Sequence, residues 1–131
     1  LNLLLDTHVW IWSHLEPHKL AKPVLRAIED PANEVWLSPI SVWETAILVE
    51  KRRVIVEGDF DEWIAALLNR PHLKEAPITA EVALATNAFR VRHRDPADAF
   101  LAATAKVYGL TLVTADTALL RSKEIATLPC R

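Results

Sequence analysis

The chain has 131 residues, 15 of them basic and 17 acidic, giving a formal net charge of −2, and 51% of it is hydrophobic. This is the length of one ordinary domain with apolar material for its own core, so disorder is excluded as the default and the charge balance gives no sign of a nucleic-acid binder. A lone cysteine, Cys130, excludes internal disulfides and multi-cysteine metal sites, and two glycines, Gly58 and Gly109, exclude the glycine-rich nucleotide turns.

In chain order, the apolar run Leu3-Leu4-Leu5 ends at Asp6 and passes into His8-Val9-Trp10-Ile11-Trp12, which predicts a strand followed by a helix stopping near Pro17. A second helix is expected over 19–29, and the Asp30-Pro31-Ala32-Asn33 turn leads into a strand at Val35-Trp36-Leu37. Ser38-Pro39 opens a helix with a hydroxyl N-cap and proline at its first position, running toward Arg53. Helical spacing of Phe60, Trp63, Ile64, Leu67 and Leu68 predicts another helix, able to pair with the preceding one as a hairpin. A weak strand over 73–78, a helix from Thr79, a helix from Asp95-Pro96 to Gly109, and a strand at Leu110-Thr111-Leu112-Val113 follow. A short helix from Thr117 and a terminal strand at Ala126-Thr127-Leu128 complete the chain. Strands alternating with helices predict an α/β fold, a parallel sheet covered on both faces, in a single domain spanning 1–131. No run approaches the roughly 18 apolar residues of a membrane span, so a soluble, cytoplasmic protein is expected.

Four acids stand out. Asp6 and Asp116 each follow a short apolar strand, and in open parallel sheets ligands bind beyond the carboxyl ends of the strands. Each is also a good N-cap for the helix that follows, as Asp95 is for its own helix, with Asp98 in the dipole-favoured first turn. Glu44 shares a helix face with Ile40, Ile47 and Leu48, and a carboxylate among apolar side chains needs a partner. Ser41 and Lys51 are the partners local spacing offers. Carboxylates gathered together raise one another's pKa, and a hard divalent cation, Mg²⁺ or Mn²⁺, resolves the conflict while suiting phosphate chemistry. Thr7 and Thr114 lie beside these acids as supporting hydroxyls, and Arg90, Arg92, His93 and Arg94 supply positive charge for a phosphodiester. Histidine spacing makes a poor zinc site, because Pro17 interrupts His14-Leu15-Glu16-Pro17-His18. Five tryptophans, at 10, 12, 36, 43 and 63, have apolar neighbours that favour core packing for most of them over base stacking.

The segments Leu4-Leu5-Asp6-Thr7-His8-Val9-Trp10, Ser38-Pro39-Ile40-Ser41-Val42-Trp43-Glu44, His93-Arg94-Asp95-Pro96-Ala97-Asp98 and Leu112-Val113-Thr114-Ala115-Asp116 together resemble PIN-domain ribonucleases, and more narrowly the VapC-type toxins of bacterial toxin–antitoxin pairs. The resemblance implies a three-layer α/β/α PIN-like fold with a mainly parallel sheet. It makes Asp6, Glu44, Asp98 and Asp116 the catalytic, metal-holding acids, with Thr114 in support, beside the Thr7 hydroxyl and the Arg92 and Arg94 phosphate contacts that the residues themselves suggest. It further implies Mg²⁺- or Mn²⁺-dependent endoribonuclease action on RNA, a homodimer, and a small antitoxin whose C-terminal segment occupies the acidic groove. Where the family often has Arg after the third acid, this chain has Ala99, which leaves Arg92 or Arg94 to supply the local charge. The rival readings are a catalytically silent binding module on the same fold, a DNA nuclease and a housekeeping RNA-processing enzyme.

Overall fold

The computed structural model describes residues 1–89 and 95–131. Five strands, β1 (Asn2–Leu5), β2 (Glu34–Leu37), β3 (Leu73–Glu75), β4 (Thr111–Thr114) and β5 (Ala126–Pro129), form one sheet in the order β3-β2-β1-β4-β5. Every pairing is parallel. The chain therefore builds outward from β1 in one direction, to β2 and β3, then returns to β1's other side for β4 and β5. Such a reversal opens a crevice at the carboxyl ends of the two strands where it occurs, β1 and β4.

The side-chain alternation of a strand sorts the core into two halves. Leu3 and Leu5 face one cluster with Val35, Leu37 and Val113, covered by Val9 and Trp10 of α1 (Thr7–Leu15), Val24 of α2 (Lys22–Glu29) and Ile64 and Leu67 of α4 (Phe60–Leu68). Leu4 and Leu112 face the other, covered by Val82 of α5 (Ala80–Ala85) and by Leu101, Ala102 and Ala105 of α6 (Pro96–Tyr108). The central strands are apolar on both faces because helices cover both, as the sequence pattern predicts. The alanine run of α6 lets that helix lie close on the sheet. The helix α3 (Pro39–Glu50) belongs to neither layer alone, since it packs against α1 on one side and α6 on the other. It begins where β2 ends, and so carries its acid to the carboxyl end of the sheet.

Several boundaries differ from the sequence expectation, each for a local reason. The second helix starts at Lys22 rather than Lys19, because Pro17–Lys19 forms a separate 3₁₀ turn and Pro23 occupies the start of α2. The helix from Pro39 stops at Glu50 instead of reaching Arg53. Arg52 turns left-handed at φ 58°, and the Arg53 amide donates back to the Leu48 carbonyl at 2.9 Å, a Schellman-type stop made without glycine. Helix α3 packs on α1 and α6. Strand β3 ends at Glu75, followed by one more ladder bond from the Ala76 amide to Leu37 before Pro77 removes the next donor. At the end of α6, Gly109 takes the left-handed cap at φ 65° that the sequence anticipates, and α7 (Thr117–Leu120) is a single turn. Trp43, by contrast, is 56% exposed, the exception among the tryptophans expected to pack inside. Among the described residues no helix is long and apolar enough to cross a membrane.

Candidate active site

Asp6 sits in the single residue between β1 and α1. Its backbone amide continues the sheet ladder to the Val113 carbonyl at 3.0 Å, while its carboxylate accepts from the Thr7 amide at 2.6 Å through Oδ1 and from the Thr114 hydroxyl at 2.6 Å through Oδ2. The N-cap role foreseen for this acid is real, and so is its place at a strand end. Thr114, fully buried, also accepts from the Asp116 amide at 3.0 Å, so one hydroxyl ties the acid after β1 to the turn after β4. Asp116 in turn caps α7, its Oδ1 accepting from the Leu119 amide at 3.0 Å.

Glu44 finds its partner across the crevice instead of along its own helix. Thr7 Oγ1 lies 2.5 Å from Glu44 Oε1 and 2.9 Å from Ser41 Oγ. Threonine has one hydroxyl proton, which goes to the carboxylate at the shorter distance, and Ser41 then donates to Thr7. Both hydroxyls are buried, so the position of Glu44 is set by a relay from α3 to α1 and back. The ion pairs among the described residues, Lys19–Glu16 and Lys74–Glu34, do not include Lys51, the salt-bridge partner its helix offered.

Asp98 differs from the rest. It lies on the first turn of α6, where Asp95 is the cap and accepts from the Ala97 amide at 3.0 Å, and its own carboxylate makes no hydrogen bond or ion pair with a described residue. Partial burial, then the charges of Asp95, Asp6, Asp116 and Glu44 in that order, push its pKa from 3.8 up to about 7. Asp6 is raised as well, chiefly by burial, against the opposing pull of its Thr114 and Thr7 hydrogen bonds and the charge of His8. Glu44 is raised by burial, with Asp95 and Asp6 adding to the effect and the Thr7 hydrogen bond opposing it. These mutual effects place the four expected acids within one electrostatic neighbourhood, from four separate parts of the chain, and add a fifth. Asp95 and Ser41 are the contributors that sequence reasoning left in bland roles. The available signal was spacing, since each stands three residues before a site acid on the same helical face. Arg92 and Arg94 lie outside the described residues. Ala99, the departure from the family pattern, is buried in the core beneath α6.

Among the described residues no three His, Cys, Asp or Glu side chains are gathered as a ready-made metal cage. The donor chemistry fits a hard divalent cation all the same: the donors are all oxygens, and Asp98 is a carboxylate with no partner among the described residues, beside four others that resist its ionisation. A cavity of about 260 Å³ lies elsewhere, lined by Trp10, His14 and Arg70 but by none of these acids. There, burial and the Arg70 charge push His14 down to about 4.

The PIN domain model matches residues 3–125 of the chain. The chain belongs to the PIN-domain family. This PIN-domain protein is 36% identical over 116 residues to Ribonuclease VapC22 of Mycobacterium tuberculosis, an alignment covering 88% of this chain and 87% of that one. Among solved structures, VapBC2 from Rickettsia felis, bound to a DNA fragment from its promoter, matches with a TM-score of 0.71 and 16% identity, covering 98% of each chain. FitAcB from Neisseria gonorrhoeae matches with a TM-score of 0.65 and 25% identity over 97% of this chain and 96% of that one. The three-layer α/β fold with its parallel sheet, expected from the sequence, is thus the PIN fold.

Proposed function

We propose that this PIN-domain protein is a divalent-metal-dependent endoribonuclease, the toxin of a toxin–antitoxin pair, acting in the cytoplasm on tRNA, rRNA or mRNA to stop translation and growth. The observation that carries the chemistry is Asp98, a carboxylate unpaired among the described residues, which feels the charges of Asp95, Asp6, Asp116 and Glu44 at the crevice between β1 and β4. The biological role is supported by the relative named a ribonuclease and by the toxin–antitoxin proteins among the structural neighbours, such as the toxin-antitoxin complex from Klebsiella pneumoniae.

In this reading Asp6, Glu44, Asp98 and Asp116 hold Mg²⁺ or Mn²⁺. A bound ion of this kind neutralises the clustered carboxylates and supplies a more acidic water for attack on a phosphodiester. Thr114 fixes the Asp6 carboxylate and the start of the Asp116 turn together, so the two acids on either side of the crevice keep one spacing. Thr7, steadied by Ser41, aims Glu44 into the same space. With its pKa raised to about 7, Asp98 would have to release its proton to hold a cation, so ion binding and proton release would be linked. The partners in this reading are RNA, a second copy of the chain in a homodimer, and a small antitoxin whose C-terminal segment lies in the acidic groove. Arg92 and Arg94 contact RNA phosphates.

Cleavage of a panel of tRNA and rRNA by the purified, antitoxin-free protein tests the proposal, with Mg²⁺, with EDTA, and with Asp116→Asn. Discrete fragments that require both the ion and Asp116 are expected. RNA that is bound and left intact in every condition contradicts the enzyme and points to the silent binding module.

A further inference from the structure

Trp12 lies in the second turn of α1, half-buried against the core, and three exposed basic side chains gather on it. Lys19 Nζ stands 5.4 Å from the indole centroid, the Arg131 guanidinium carbon 5.2 Å, and the His8 ring 5.7 Å at a 51° tilt. An indole face holds a cation in place without neutralising it. Lys19 also pairs with Glu16 at 2.8 Å, but both groups are solvent-exposed, and a pair of that kind is readily exchanged. Arg131 takes part in no ion pair among the described residues. Two cations held at one ring leave a local excess of positive charge, which a bound anion relieves.

The cluster borders the acids. His8 is near enough to Asp6 to lower its pKa, and Cys130 feels the charges of both Asp6 and Arg131. The end of β5 is tied to the end of β4 by the Cys130 amide, which donates to the Thr114 carbonyl at 3.0 Å, and the Thr114 hydroxyl donates to Asp6. His8 and Trp12 are four residues apart and share a face of α1. A basic strip therefore starts beside Asp6 and runs outward along that helix. A polyanionic strand whose reacting phosphate lies at five carboxylates needs cations for the phosphates on either side, because phosphate contacts are what hold a strand in register.

We propose that Arg131 and Lys19, seated on the Trp12 indole and joined to Asp6 by His8, form a phosphate-binding track for the RNA strand flanking the scissile bond. This rests on the ribonuclease reading. Trp12 is a positioning residue in the track: cations rather than bases occupy its ring, and its task is to keep them beside the acids.

The test is the salt dependence of binding of a fluorescein-labelled single-stranded RNA to the full chain in Mg²⁺, with Asp116→Asn as the non-cleaving parent. Arg131→Gln and Lys19→Gln are each expected to lower the slope of log K against log salt by about 0.7, the share of one phosphate contact on a single strand. Trp12→Leu changes no charge, yet it is expected to lower the slope too, because it releases both cations. In the cleaving protein, Arg131→Gln is expected to raise KM several-fold with kcat retained. Slopes unchanged in both charge variants overturn the track. Affinity lost in Trp12→Leu at an unchanged slope overturns the positioning role in favour of base stacking. Should Trp12→Leu not fold, the two substitutions at exposed positions decide the matter alone. If the parent does not bind RNA and the protein with Asp116 intact does not cut it, the ribonuclease reading falls and takes the track with it; if the parent binds with every slope intact, only the track falls.

Discussion

The Asp98 carboxylate should destabilise the metal-free protein, and replacing it should make that protein more stable. Its pKa rises from 3.8 to about 7, so the folded state holds the proton more tightly than the unfolded chain does. With a raised carboxyl pKa, stability is highest below the unfolded value, falls as pH rises from about 4 to about 7, and stays at the lower level above that. At about 1.4 kcal/mol per pKa unit the shift corresponds to roughly 4 kcal/mol, which solvent screening at a half-exposed group reduces to about 2 kcal/mol. Asp98→Asn keeps the shape of the side chain and removes its charge. In EDTA at pH 8 it should stabilise the fold by about 2 kcal/mol, a rise in Tm of about 8 °C for a chain of this length, and near pH 4 the gain should vanish. Urea unfolding of both proteins at the two pH values, followed by tryptophan fluorescence, measures the difference directly. A variant that is less stable at pH 8, or a gain equal at both pH values, refutes the reasoning, because it means that burial and the other four acids do not raise the Asp98 pKa.

Three further outcomes follow from particular contacts. Thr7→Val removes the hydroxyl that holds Glu44 and should lower the RNA cleavage rate about 10- to 100-fold, the usual loss when a residue orienting a metal-site acid is removed; a rate within twofold of the parent contradicts the relay. Arg52→Gly relieves a left-handed side-chain residue at the end of α3 and should stabilise the protein by about 1 kcal/mol in thermal unfolding, whereas a loss of stability shows that the arginine side chain contributes more than the strain costs. His14 should titrate at about 4 by NMR of its imidazole, because burial disfavours the cation and Arg70 repels it. Its contribution to stability is then present above about pH 6.5 and is lost as pH falls toward 4, the opposite sense to Asp98, and a midpoint near 6.5 contradicts its burial.

Much of this was legible in the chain because single residues carried single physical demands. The all-parallel sheet could be read from Leu3-Leu4-Leu5 and Leu110-Thr111-Leu112-Val113, runs apolar at every position but Thr111, as strands covered on both faces require. The start of α3 followed from Ser38-Pro39, and the end of α6 from Gly109. The end of α3 was not legible, because Arg52 adopts a left-handed conformation that sequence reading reserves for glycine. At the site, Asp6 and Asp116 were visible as acids after strands. The partner of Glu44 was not, because Thr7 is 37 residues away and only the packing of α3 on α1 brings them together. The same holds for Arg131 and Trp12, which nothing local relates. Capping and clustering proved to be compatible roles: Asp6 and Asp116 satisfy helix amides with some of their oxygen lone pairs and still raise the pKa of Asp98.

The central claim is that these acids are one divalent-ion site, and Mn²⁺ titration by calorimetry at pH 6.5, in buffers of different ionisation enthalpy, tests it most directly. The account predicts saturable binding by the parent with release of about one proton, most of it from Asp98, and loss of affinity in Asp6→Asn, with the proton release abolished in Asp98→Asn. Mn²⁺ affinity unchanged in Asp6→Asn and proton release unchanged in Asp98→Asn would contradict it.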